Sequence, residues 1–205
     1  MSMSIDPTVF IVEDDAEVRD ALKLLMESVG LPAKTYPSAQ DYLAQFDPGS
    51  PGCLVLDIRM PGMSGLELQE RLSQEPLHPP IVMITGHGDV PMAVRAVQAG
   101  ASDFIEKPFR DQVLLDSVHR AITKDAETRG EASRLADIQA RLDRLTPRER
   151  EVLERIMAGD RNKIIAAKLG VSQSTVEAHR AKVMEKMEAK TLSDLMRMVL
   201  SISSS

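Results

Sequence analysis

The sequence has one cysteine, Cys53, among 205 residues. A lone thiol closes no internal disulfide and completes no cysteine-rich zinc site, so a secreted disulfide scaffold and a cysteine zinc finger are both excluded. Long hydrophobic runs are also missing. None approaches the ~20 apolar residues that span a bilayer, so no membrane partner is expected. The opening stretch Met1-Ser2-Met3-Ser4-Ile5-Asp6-Pro7 lacks the basic-then-apolar layout of a signal peptide, and a cytoplasmic location is expected. What is present is ordinary for a globular chain: 27% charged and 43% hydrophobic residues, which excludes collagen-like and wholly disordered classes. The length suits one large domain or two small ones, at roughly 100–200 residues each.

The net charge of −6 hides an asymmetry. Residues 1–125 carry 19 acidic and 10 basic side chains, 126–145 carry 4 of each, and 146–205 carry 8 acidic and 11 basic. An acidic part joined to a mildly basic one points to two domains with different partners. Within 161–190 there are 7 bases and 3 acids, enough to attract a phosphate backbone. A charge run of that size is, however, more often a solvated helix face.

Up to about residue 125, short apolar runs alternate with amphipathic stretches. The runs are Val9–Val12, Cys53–Leu56, Ile81–Ile84 and Phe104-Ile105, with a weaker strand at Ala33–Tyr36. Between them, Val18, Leu22, Leu25, Met26 and Val29 form a helical stripe. This alternation implies five strands and five helices in an α/β unit, a parallel sheet covered on both faces. From 111 the pattern is helical, and 125–143 reads as a helical linker, with Gly130 its weak point. Thr146-Pro147-Arg148-Glu149 is a capping box with proline at the first helical position. Three or four short helices follow, without strand signal.

In an open parallel sheet, function gathers at the carboxyl ends of the strands. Strand one ends at Glu13-Asp14-Asp15, strand three at Asp57, strand four at Thr85 and strand five at Lys107-Pro108. Each has a dull explanation alone, such as Asp14 capping a helix that begins near Glu17. Together they bring acids, a hydroxyl and an ammonium to one edge. Clustered carboxylates repel one another unless a cation sits among them. Hard oxygen donors suit Mg²⁺, and no His pair or cysteine is placed for zinc. An aspartate in such a site is a nucleophile toward a phosphoryl group, with Lys107 screening the incoming charge and Thr85 bonding a phosphoryl oxygen.

The segments Ile11-Val12-Glu13-Asp14, Leu56-Asp57-Ile58-Arg59-Met60-Pro61-Gly62, Thr85-Gly86-His87-Gly88-Asp89 and Phe104-Ile105-Glu106-Lys107-Pro108-Phe109 together resemble a two-component receiver domain over 7–124. The resemblance implies a flavodoxin-like sheet of order 2-1-3-4-5. It implies Asp57 as phospho-acceptor, Asp14 as direct magnesium ligand with Glu13 as its acidic partner, and Arg59 as the donor of a backbone carbonyl to the metal. Thr85 and Lys107 match the switch hydroxyl and the phosphate-pairing lysine, and Phe104 the aromatic whose rotamer follows the state. Glu13 departs from the family, where aspartate is common.

In the C-terminal part, Asn162–Leu169, Gly170 and Ser172 read as helix, turn and new cap, with Val176, Val183 and Met187 facing inward on the next helix. The bland alternative is a small helical protein-binding domain. The Met157, Met184, Met187, Met196 and Met198 group reads as core. The stretches Leu145–Leu153, Asn162–Ala166 and Ser174–Arg180 resemble the LuxR-type DNA-binding domain over 144–203. That resemblance implies a four-helix helix-turn-helix unit whose second motif helix enters the major groove, with Thr175, Glu177, His179, Arg180 and Lys182 toward DNA and the last helix in dimer contact. Many members carry lysine where this chain has Glu177. The combination resembles response regulators of the FixJ/NarL class, and the run from Thr85 to Val94 points to the FixJ branch.

The implied partners are a sensor histidine kinase, double-stranded DNA and, on phosphorylation, a second copy of the chain. Two other classes compete. A haloacid dehalogenase-type phosphatase needs a second aspartate two residues beyond the nucleophile, where this chain has Arg59. A DNA-binding protein indifferent to phosphorylation is expected to lose part of the acidic site, and here every part is present. The regulator is expected to catalyse only its own phosphorylation and slow dephosphorylation.

Overall fold

The computed structural model describes residues 6–86 and 90–203. His87, Gly88 and Asp89, part of the third receiver-like segment, lie outside the described residues. Contacts divide the chain into two compact units, the boundary falling between Arg129 and Gly130.

The first unit alternates strand and helix: β1 (Thr8–Val12), α1 (Ala16–Ser28), β2 (Ala33–Tyr36), α2 (Ala39–Ala44), β3 (Gly52–Asp57), α3 (Gly65–Leu72), β4 (Ile81–Thr85), α4 (Val90–Gln98), β5 (Asp103–Glu106) and the first part of α5 (Asp111–Asp143). The five strands are parallel, in the order β2-β1-β3-β4-β5. Successive strand residues point to opposite faces, so β1 and β3 supply two cores at once. Phe10, Val12, Leu54 and Leu56 pack with Tyr42 of α2 and Leu68 and Leu72 of α3. Val9, Ile11, Cys53 and Val55 pack with Leu22 and Met26 of α1 and Leu114 and Val118 of α5. β3 is buried from end to end, which explains its unbroken apolar run and the inert position of Cys53.

Helix α5 is continuous through Gly130. Its middle is fastened to the first unit by Asp125, which accepts from the Gly52 amide at 2.8 Å and from Arg129 Nε at 2.7 Å. Arg129 also donates to the carbonyls of Pro48 and Ser50. The last turns of α5 belong to the second unit, where Ile138 is buried.

The second unit adds α6 (Pro147–Met157), α7 (Asn162–Leu169), α8 (Gln173–Met187) and α9 (Leu192–Ser203). One core joins Ile138, Val152, Leu153, Ile156, Ile165, Val176, Val183, Met187 and Leu195. Met157, Met184 and Met198 pack against it. The capping box at Thr146 closes in both directions, Glu149 N to the Thr146 hydroxyl at 3.3 Å and Thr146 N to the Glu149 carboxylate at 2.8 Å. α7 ends on Gly170 in the left-handed region (φ 64°), where a side chain is strained. Ser172 then caps α8.

Candidate functional site

The order of the sheet reverses between β1 and β3, and there the strand ends open a crevice. Register sets its floor. Val12 pairs with Leu56, Asp57 with Ile84, and Thr85 with Glu106. Glu13 and Lys107 follow directly on the paired ends of β1 and β5, so both reach the edge on which Asp57 closes β3 and Thr85 closes β4. Glu13, Asp57 and Thr85 are all buried. The α3 helix begins hard against this edge: a Cβ on Gly65 would lie 2.3 Å from the Asp57 carbonyl oxygen, so only glycine fits.

Lys107 Nζ donates to Glu13 Oε2 at 2.6 Å and to Asp57 Oδ1 at 2.9 Å. The other Asp57 oxygen accepts from the Arg59 backbone amide at 2.7 Å. The Arg59 backbone thus touches Asp57 through its N–H. Burial pushes the Glu13 carboxyl above its ordinary value, and the Asp57 charge adds to this against the lowering pull of the Lys107 bond. Burial pulls the Lys107 ammonium down, but its bonds to Glu13 and Asp57 outweigh that, and it titrates above the usual lysine value.

Asp15, not Asp14, caps α1, accepting from the amides of Glu17 and Val18 at 2.9 and 3.2 Å. Asp14 is therefore released from the capping role. Carboxylate oxygens of Glu13, Asp14 and Asp57 lie within 4.8 Å of one another. Three hard oxygen donors at this spacing, two of them buried, fit a small divalent cation that keeps some of its waters. Arg19 was not singled out in the sequence, yet its Nη1 donates to the carbonyls of both Glu13 and Asp14. Phe104 is half-buried, packed on the α2–α3–α4 core and lining a groove with Val113, Ser117 and Arg120 of α5. Val113, in the same groove, and Val94 and Val97 of α4 are exposed.

In the second unit, α8 stands with Val176, Val183 and Met187 buried. At 3.6 residues per turn, the row opposite them is Ser174, Ala178, Ala181 and Glu185, all exposed. Of the five residues named from sequence, Thr175 and Lys182 flank that row on one side and Glu177 on the other, while His179 and Arg180 lie nearer the buried face and are half-buried. Several are already engaged. The Thr175 hydroxyl lies 2.8 Å from that of Ser172, and Lys182 pairs with Glu185 at 2.8 Å. Lys168 is tied to Asp160 and Lys186 to Glu149. Among the described residues, no ion pair engages Arg161, Lys163, Arg180 or Lys190. Arg161, Lys163, Gln173, Glu177 and Arg180 line one depression, so two bases that spacing alone did not single out, Arg161 and Lys163, stand beside Arg180.

The profile of the response regulator receiver domain matches residues 9–119, and that of the luxR family of bacterial regulatory proteins matches residues 143–199. The transcriptional regulatory protein FixJ of Rhizobium meliloti is 47% identical over 195 residues, 95% of this chain and 96% of FixJ. The response regulator protein TodT of Pseudomonas putida is 40% identical over 92% of this chain and 83% of its own. Among solved structures, the response regulator StyR superposes with a TM-score of 0.88 at 43% identity, covering 95% of this chain and 98% of StyR. No described helix is long and apolar enough to cross a membrane.

Proposed function

Because the chain belongs to the response regulators, a receiver followed by a luxR-family DNA-binding domain in a phosphorylation-activated transcription regulator, we propose that Asp57 is its phospho-acceptor and that the acyl phosphate drives dimerisation on DNA. The observation that carries this reading is the meeting of Glu13, Asp14, Asp57 and Lys107 at one sheet edge. An Asp57 oxygen attacks the phosphorus of a phosphohistidine on a sensor histidine kinase. The P–N bond breaks, the O–P bond forms, and the ring leaves as neutral imidazole after taking up a proton. Glu13, Asp14, Asp57 and the Arg59 carbonyl are the residues to hold Mg²⁺, which when bound screens the phosphoryl charge. Beyond its own phosphorylation and slow dephosphorylation the protein turns over no substrate. We place it in the cytoplasm.

The acyl phosphate adds about −1.5 to −2 charges at Asp57. The Lys107 ammonium, now shared by two carboxylates, follows that charge, and the Thr85 hydroxyl donates to a phosphoryl oxygen. Thr85 moving inward leaves room for Phe104 to turn in, which reshapes the surface bearing Val94, Val97 and Val113. Two copies pairing there bring two α8 helices to a two-half-site operator, where effective concentration multiplies a modest single-site affinity. Arg180, Lys182, Thr175, His179 and Glu177 make the DNA contacts, Glu177 accepting from a cytosine amino group. Light scattering with and without beryllofluoride and Mg²⁺ tests the switch. A doubled mass with the mimic is expected, and an unchanged mass would remove dimerisation from the mechanism.

A further inference from the structure

The loop between β1 and α1 carries two of the three clustered carboxylates, and they are held very unequally. Glu13 accepts from Lys107 and faces the Asp15 amide, and Asp57 accepts from Lys107 and the Arg59 amide. The Asp14 carboxylate is exposed and accepts no hydrogen bond among the described residues. What fixes it is its backbone. Arg19, one turn into α1, places a single nitrogen, Nη1, 2.8 Å from the Glu13 carbonyl and 3.2 Å from the Asp14 carbonyl. Those oxygens belong to the peptide groups on either side of the Asp14 Cα. Pinning both planes sets the direction in which the Asp14 side chain leaves the chain.

We propose that Arg19 is a positioning residue of the metal site, aiming Asp14 at the position shared with Glu13 and Asp57. This rests on the reading of that cluster as a divalent-cation site. The proposal has a sign that simple electrostatics does not share. A guanidinium beside a cation site repels the cation, so charge alone requires tighter metal binding when Arg19 is neutralised. Positioning requires weaker binding.

The test uses the full chain and Mn²⁺ alone as probe, free Mn²⁺ being read by electron paramagnetic resonance without any phosphodonor. Arg19→Met, similar in reach but neutral and without a donor, is expected to bind on the order of 10-fold more weakly, the usual cost of losing a group that orients a metal ligand. Arg19→Lys is expected to fall between it and the wild type, because one ammonium donates to both carbonyls. The unfolding midpoint in EDTA is expected to move little, since both freed carbonyls return to water. Binding by Arg19→Met as tight as the wild type or tighter overturns the proposal. If that variant does not fold, Arg19→Gln takes its place under the same two outcomes. A wild type that takes up no Mn²⁺ overturns the metal-site reading itself, which separates that failure from a failure of the Arg19 role.

Discussion

The two charged constellations of this chain are built on opposite plans. At the sheet edge, Lys107 reaches Glu13 and Asp57 across 94 and 50 residues of sequence, and both carboxylates are buried. On the solvent side of α8 the polar contacts are local: Ser172 with Thr175 and Lys182 with Glu185 are each three residues apart and exposed, and only at the helix's end does Lys186 reach a distant buried partner, Glu149. Buried charges held by distant partners are interdependent, because removing one leaves another uncompensated in a poorly solvated site. Exposed charges with local partners are nearly independent, and each exposed pair contributes little. A chemical switch needs the first arrangement. A surface that meets a long polyanion is served by the second.

Substitutions in the two regions should therefore differ in kind. The largest effect is expected for Asp57→Asn, since an amide is no nucleophile for phosphorus. Incubation with acetyl phosphate and Mg²⁺ should add one phosphoryl group to the wild type and none to the variant, read by intact-protein mass spectrometry. A variant that gains the same mass would move the acceptor elsewhere. On α8 the loss should be graded. Arg180→Ala is expected to weaken binding to every duplex and to lower the log–log salt slope by roughly one unit. Lys182→Ala should do less, because Lys182 gives up Glu185 before it meets a phosphate. Equal slopes for the wild type and both variants would remove α8 from the phosphate contacts.

Smaller still is the cap that starts the helical unit. Thr146→Ala loses the acceptor for the Glu149 amide and is expected to destabilise that unit by about 1 kcal/mol, measured by urea unfolding. The smallest effect concerns acid, and here the two regions should move in opposite senses. Lys186 and the Thr146 amide hold Glu149 below its ordinary value. Its contribution is thus present above the unfolded carboxyl value and fades as pH falls through the depressed folded one. The stability advantage of the wild type over Glu149→Gln should shrink over that window. Glu13 titrates above its ordinary value, so its proton is bound more tightly in the folded state. In EDTA, Glu13→Gln should gain on the wild type as pH rises from the unfolded carboxyl value through the raised folded one. Parallel pH profiles for the two pairs would contradict the opposite shifts.

The sheet was legible because its strands are apolar runs whose parity assigns them to two cores, and β2 at Ala33–Tyr36 was found despite its polarity. The acidic edge was legible for the same reason: Glu13, Asp57, Thr85 and Lys107 sit at or beside strand ends, and strand ends can be read from a one-dimensional pattern. The capping box at Thr146 and the turn at Gly170 were local signals of the same sort. What escaped depends on where long side chains end. Asp14 and Asp15 are adjacent acids, and only geometry assigns the cap to the second. Arg19 looked like one more charge on an amphipathic helix, because a bond to backbone carbonyls leaves no mark in composition. The same holds for Arg129, whose partners lie about 80 residues away in the loop before β3. On α8, helical spacing identified the buried face correctly, but which lysines are already paired could not be read from spacing alone.

The buried acidic edge is expected to govern the exposed helix, and DNA affinity read against phosphorylation addresses this directly. An operator would be selected from random duplexes with the acetyl phosphate-treated protein, and its affinity measured by fluorescence anisotropy for wild type and Asp57→Asn, each with and without acetyl phosphate and Mg²⁺. Acetyl phosphate is expected to tighten wild-type binding, to make it cooperative over two half-sites, and to leave Asp57→Asn at the untreated level. Wild-type affinity that ignores acetyl phosphate, or an Asp57→Asn protein that responds as strongly, would contradict that expectation.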